Sequence, residues 1–416
     1  MFLQMNRLER SNSPNGAAGA TVLWGAFLLF LSALPDAMVV PVLRQLIVDR
    51  YEVSVGAAHA FMWVNLLGAI AVVGWVELAI RKLGTRNAVV IAALTNGGLL
   101  MLLAAPIGFI PMLAVRAVEG GADVAVYASL FHAISRAGAP ETKGRRMGGA
   151  ATAMMLGISA GVGLGGQIGA FDALACLWVG GLVCGGVAVL ALNLRAKEST
   201  THSKPAVEPA HSNGLTSLLW PPLVMMFIDR AVASLLAATA SIYFASSFGL
   251  SSRTSGVLIG SAMLMIAVGA YPAGFVVDRF GPLVVRLGGG LIYAGGMMLI
   301  PFVVDGSMFI SLPVLLAVGG AGAGLFAASL TMIAHSRHGA RGMAAYHASG
   351  NVGFLMGAVT ASIVLTLLGG DEPAPSHYAA VFIGFGAVHL LVNVMVLIAA
   401  SIRIRLIAPN QPAPMS

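Results

Sequence analysis

The sequence predicts an all-α membrane protein of twelve transmembrane helices, arranged as two six-helix halves with pseudo-two-fold symmetry. Three observations predict it. Of the 416 residues only 9% are charged and 58% are hydrophobic, at a mean hydropathy of +0.89, whereas a soluble domain carries about 25% charged residues. Twelve apolar segments of bilayer-crossing length, roughly 20 residues each, follow one another in two sets of six. Basic residues gather in alternate connections, which only an even number of crossings preserves.

The first set covers residues 21–46, 54–79, 87–105, 109–134, 147–169 and 171–194. The second covers 216–247, 254–277, 283–304, 308–334, 342–368 and 377–401. Residues 1–18 are polar, and the first apolar run has no small-residue cleavage site nearby, so it is expected to stay as a helix. The halves then run over 19–194 and 217–401, with a polar linker at 195–216 and a tail at 402–416. Lys197, Glu198, Lys204, Pro205 and Pro209 give that linker its character.

One side of the membrane receives eighteen Lys and Arg residues, Arg286 among them, and the other receives only Arg44, Arg50 and Arg253. The positive-inside rule therefore places both termini and the linker in the cytoplasm, in a multi-pass protein of the cytoplasmic (inner) membrane. A net charge of +7 distributed this way signals topology and not a nucleic-acid partner. Cys176 and Cys184, eight residues apart in one apolar segment, read as inert buried thiols.

The polar residues inside spans carry the functional signal. In the fourth span Arg116, Glu119, Asp123 and Tyr127 share one helical face, because positions three and four apart are neighbours. A charge at the bilayer centre costs at least ~2.5–3.5 kcal/mol, so these groups must face a protein or water interior. Asp36 lies inside the first span between Pro35 and Pro41, and Asp229 and Arg230 lie inside the seventh. His347 and Asn351 share a face of the eleventh, and His389 in the twelfth reads as a satisfied packing residue. Four acids against two arginines leave a surplus of negative charge, and a carboxylate in such a place can carry a proton. If the tenth span faces the fourth, Gly320–Gly324 would leave room for substrate or water.

Several motifs resemble those of the major facilitator superfamily, and the resemblance covers nearly the whole chain. Arg116-x-x-Glu119-Gly120 is similar to that family's helix-4 motif, which is often linked to proton coupling. Gly157-x-x-x-Gly161-x-x-x-Gly165-Gly166 resembles its antiporter motif, with Val162 in place of the proline that would kink the helix. Gly274-Phe-Val-Val-Asp278-Arg279-Phe-Gly281 resembles its cytoplasmic loop motif; the first-half copy is degraded, with Glu77 and Arg81 at the glycine and aspartate positions and Gly84 kept. The fourth and tenth spans also echo each other, as related halves of a transporter do.

The resemblance implies a secondary active transporter of a small molecule, working by alternating access as a monomer. Helices 1, 4, 7 and 10 of the family line its cavity, which would gather Asp36, Asp123, Tyr127, Asp229 and Arg230 around substrate, with His347 and Asn351. Proton coupling would fall to Asp123, Glu119, Arg116 and Asp36, and the conformational gate to Asp278, Arg279, Gly274 and Gly281. The glycines at 157, 161, 165 and 166 point to proton-driven export, and the negative surplus to a cationic, zwitterionic or metal-bearing substrate. Proton-coupled uptake is the first alternative, and a scaffold without transport the second. No His-Glu-x-x-His or Gly-x-x-x-x-Gly-Lys occurs, so neither an enzyme nor ATP drive is expected, and no cofactor or resident metal.

Overall fold

Hydrocarbon offers no partner for a backbone N–H or C=O, so a chain this apolar must satisfy its backbone within helices. The computed structural model bears this out over the residues it describes, 14–137, 143–194, 219–303, 307–334, 339–370 and 372–407, among which there are helices and no strands. The helices are α1 (Pro14–Met38), α2 (Ala60–Leu83), α3 (Thr85–Leu103), α4 (Phe109–Arg136), α5 (Lys143–Gly169) and α6 (Ala173–Ala191). They continue with α7 (Trp220–Phe248), α8 (Ser252–Phe280), α9 (Pro282–Val303), α10 (Met308–Ala334), α11 (Gly339–Gly369) and α12 (Pro375–Ile407). Among the described residues eleven helices are long and apolar enough to cross a membrane. The exception, α4, has 28 residues but carries Arg116, Glu119 and Asp123.

The opening helix of each half loosens in the same way. Beyond α1, Pro41 lacks an N–H to donate, and the chain passes through a 3₁₀ turn at Val40–Val42 into a π-helical stretch at Arg44–Asp49. Within α7 a π-helical stretch covers Leu235–Thr239. The connections α2–α3 and α8–α9 also match. Gly84 (φ 78°) and Gly281 (φ 80°) occupy the left-handed region, which costs any side chain, and the next helix starts one residue later.

The chain divides into two compact units. The first comprises Met1–Val53, Ala60–His202 and Ser251–Met263; the second comprises Ser54–His59, Ser203–Leu250 and Leu264–Ser416. In the first unit Leu28, Leu29, Val89, Val126, Leu130 and Val187 form a core where α1, α3, α4 and α6 meet. Arg50 caps the end of α3 by donating to the carbonyls of Leu103 (2.9 Å), Ala104 (3.0 Å) and Ala105. Cys176 and Cys184 are free and buried.

Glycine seams set the closest helix contacts. Side chains added at Gly157, Gly161 and Gly165 of α5 would run into the carbonyl oxygens of Phe30, Leu34 and Met38 of α1. The step is four residues on both helices, the commonest ridge-into-groove packing. Gly166 faces the backbone of Ser252 and Gly256 in α8, and Ser159 Oγ donates to Gly260 O at 2.8 Å. In the second unit Gly353 and Gly357 of α11 meet the carbonyl oxygens of Phe227 and Ala231 in α7, again at four-residue steps. The α5 glycines are thus one of two equivalent seams.

Candidate functional site

The polar face of α4 turns inward. Arg116 and Glu119 are fully buried, and Asp123 is 8% exposed. Gly68 lies against the Ala117 carbonyl and Gly120 against that of Asn65, so α2 and α4 approach closely enough for side chains to bond between them. Arg116 Nη1 donates to Glu119 Oε2 at 2.5 Å, its Nη2 bonds the Asp36 carboxylate, and its Nε donates to Phe61 O at 3.3 Å. The Phe61 ring centre lies 4.4 Å from the guanidinium carbon. Asn65 Nδ2 donates to Glu119 Oε2 at 2.9 Å, while Glu119 Oε1 is buried without a partner.

Asp123 stands apart from this clamp. It makes no ion pair among the described residues: it accepts from Asn96 Nδ2 of α3 at 3.3 Å and has the Tyr127 hydroxyl beside it, and Asn96 Oδ1 is itself buried without a partner. Tyr127 donates its hydroxyl to Ser32 O at 3.2 Å and ties α4 to α1. Three carboxylates share one arginine here, a formal charge of −2 if all are ionised. The structure therefore brings Asp36, Arg116 and Glu119 together and adds Asn65 and Asn96. Sequence reasoning passed over these two, although an amide inside an apolar span is itself a sign of an interhelical bond.

The second unit has a buried arginine of its own, and it overturns one expectation. Arg286, counted above as a basic loop residue, is fully buried in the first turns of α9. Its Nη1 and Nη2 each donate to the Asp229 carboxylate at 2.6 Å, a bidentate pair. Its Nε donates to Asn393 Oδ1 at 2.8 Å, and Nη1 also reaches Ser329 Oγ at 2.9 Å. His389, expected to be a packing residue, is buried with Nε2 2.9 Å from Asp229 Oδ1 and belongs to the same network. Asp229 is therefore held by Arg286 and His389. Its neighbour Arg230 is partly exposed and makes no ion pair among the described residues.

Asn351 is exposed on α11, and the side chain of His347 lies outside the described residues. Asp278 and Arg279 are exposed and make no ion pair among the described residues; the Arg279 guanidinium lies 5.6 Å from the Phe280 ring centre. Gly274 faces open space, whereas Gly281 is fixed by its backbone conformation. A Cβ added at Gly320, Gly322 or Gly324 would make ordinary contact, at 3.4–3.9 Å, with Met265, Ile266, Tyr293 or Val285 of the second unit.

The Major Facilitator Superfamily model matches this chain twice, over residues 25–227 and 222–414. The chain belongs to the major facilitator superfamily. Its members are transporters and not enzymes, and the double match agrees with two related halves. Among curated proteins none matches the sequence. Solved structures similar to it include a bacterial homolog of the human lysosomal transporter Spinster, in an inward-facing and occupied conformation. That likeness has a TM-score of 0.72 at 13% identity over 97% of this chain and 100% of the other. The same homolog, inward-facing and unoccupied, gives 0.71 at 12% identity over 96% and 99%. The nucleoside transporter NupG gives 0.68 at 13% identity, over 92% and 99%.

Proposed function

We propose that this chain is a proton-coupled secondary transporter that exports a small molecule across the cytoplasmic membrane by alternating access. The carrying observation is the unequal treatment of three buried carboxylates in the first unit. Arg116 forms ion pairs with Asp36 and Glu119, whereas Asp123 has neutral hydrogen-bond partners, Asn96 and Tyr127, and no ion pair among the described residues. An ionised carboxylate inside the membrane without a cation is costly. A proton removes that cost and, on leaving, restores it. Asp123 is thus the proton carrier, Arg116 and Glu119 set the field around it, and Asn65 and Asn96 position the carboxylates.

Asp36, with 29% of its side chain exposed, is the member of the cluster that can meet substrate. The negative surplus suits a cationic, zwitterionic or metal-bearing molecule. Export rests on the resemblance of Gly157–Gly166 to the antiporter motif; proton-driven uptake is separated from it by the sign of the gradient that drives accumulation.

The test uses proteoliposomes and a substrate found by thermal-shift screening. Asp123→Asn should retain substrate exchange at equal pH and lose accumulation driven by a pH gradient. A mutant that still concentrates substrate with normal pH dependence removes Asp123 from the coupling role.

A further inference from the structure

Three arginines lie within or at the edge of the described spans' polar networks, and they differ in what their guanidinium groups hold. Arg116 is fully buried, with Nε, Nη1 and Nη2 each engaged. Arg286 is fully buried and makes six hydrogen bonds, two of them to Asp229 and one each to Asn393, Ser329, Leu325 O and Met225 O. Both are shut away from solvent and already paired with carboxylates. Arg230 is the opposite case. It is partly exposed, and among the described residues it makes no hydrogen bond or ion pair, although it sits next to Asp229. Asp229 does not serve it: its carboxylate is held by Arg286 and His389, and adjacent residues of a helix do not face each other.

The position of Arg230 makes this costly. It is the eleventh residue of α7, about 15 Å from the start of that helix at 1.5 Å per residue. An arginine there without a counter-charge is expensive, and such residues face a water path and mark the route of a substrate or ion. The neighbouring helix makes space for it. Gly350 of α11 bears no side chain, and a Cβ there would lie 3.3 Å from Arg230 Cγ.

From this contrast we infer that Arg230 is an anion-binding residue of the second unit, and that the transported molecule carries a carboxylate or phosphate-type group that completes its charge. The inference rests on the transporter reading above and narrows its substrate class to a molecule with an anionic group, a zwitterion included. A planar fork of N–H donors suits bidentate binding of either group.

The test needs no gradient and is run at one pH, so a failure of the proton assignment leaves it intact. Thermal unfolding of the purified full chain is followed with benzoate, acetate and glycerol 3-phosphate, each against its uncharged partner (benzamide, acetamide and glycerol) at equal ionic strength. At least one anion should raise Tm by about 2 °C or more where its partner does not. Arg230→Gln should abolish that rise, and Arg230→Lys should keep part of it. Without ligand, Arg230→Gln should unfold no lower than the natural protein, because it removes an unpaired charge, while Arg286→Gln should unfold well below it. The inference is overturned if none of the three anions stabilises selectively, if the rise survives in Arg230→Gln, or if unliganded Arg230→Gln loses stability as Arg286→Gln does.

Discussion

A single buried ion pair contributes little net stability, because desolvation offsets the attraction, but removing one partner strands the other. That asymmetry makes Arg286 and Asp229 the most sensitive pair of the second unit. Arg286→Gln should destabilise by ~3–5 kcal/mol, and Asp229→Asn by a similar amount. The double variant should cost less than the sum, since the second change removes the charge that the first left alone. Denaturant unfolding of all three checks this, and simple additivity would mean that the pair does not act as a unit. The residues of α4 were legible in the sequence because three charges interrupt an apolar run. Arg286 was not. It follows a loop motif by a few residues, where a basic residue ordinarily marks topology, and its burial is decided by Asp229 of α7 and Asn393 of α12. For the same reason His389 read as packing: its partner lies 160 residues away in sequence.

At the scale of the helix, the glycines of α5 divide into those a neighbour presses on and those it does not. A Cβ on Gly161 would lie 2.5 Å from Leu34 O and 2.8 Å from the Ala37 Cβ, whereas Gly163, two residues on, meets nothing within 4 Å. A backbone carbonyl cannot swing aside as a side chain can, so Gly161→Ala should force α1 and α5 apart at a cost of ~1–3 kcal/mol. Gly163→Ala should be neutral or slightly stabilising, since alanine is the better helix former. Thermal unfolding of the two variants decides it, and equal effects would dissolve the seam as an explanation. The spacing of these glycines was legible in the sequence, but the helix they rest on was not, because a four-residue step fits any helix surface. The loop after α8 gives a separate prediction. Asp278 is exposed and unpaired among the described residues, so Asp278→Asn should leave Tm unchanged. If it forms a latch in another conformation, as the family resemblance implies, initial transport rates should nonetheless fall. Unchanged rates would reduce it to a solvated turn residue.

For the whole molecule, the fold class followed from composition and segment count, since hydrocarbon permits so few backbone solutions. Orientation rests on a different physical quantity, the distribution of basic residues. With Arg286 moved from loop to interior, the count of eighteen against three becomes seventeen against three. The bias survives the correction because it is carried by many connections, each contributing a few charges. Both termini and the 195–216 linker are therefore expected in the cytoplasm. Single cysteines placed at Ser212 and Ser307, in a background where Cys176 and Cys184 are replaced, report on this directly. Cys176 and Cys184 are buried and should react slowly even if retained. A membrane-impermeant maleimide added to intact cells should label the probe at Ser307, just ahead of α10, and reach the one at Ser212 only after permeabilisation. Labelling of the Ser212 probe in intact cells would invert the protein in the membrane, and with it the direction of every gradient invoked for Asp123.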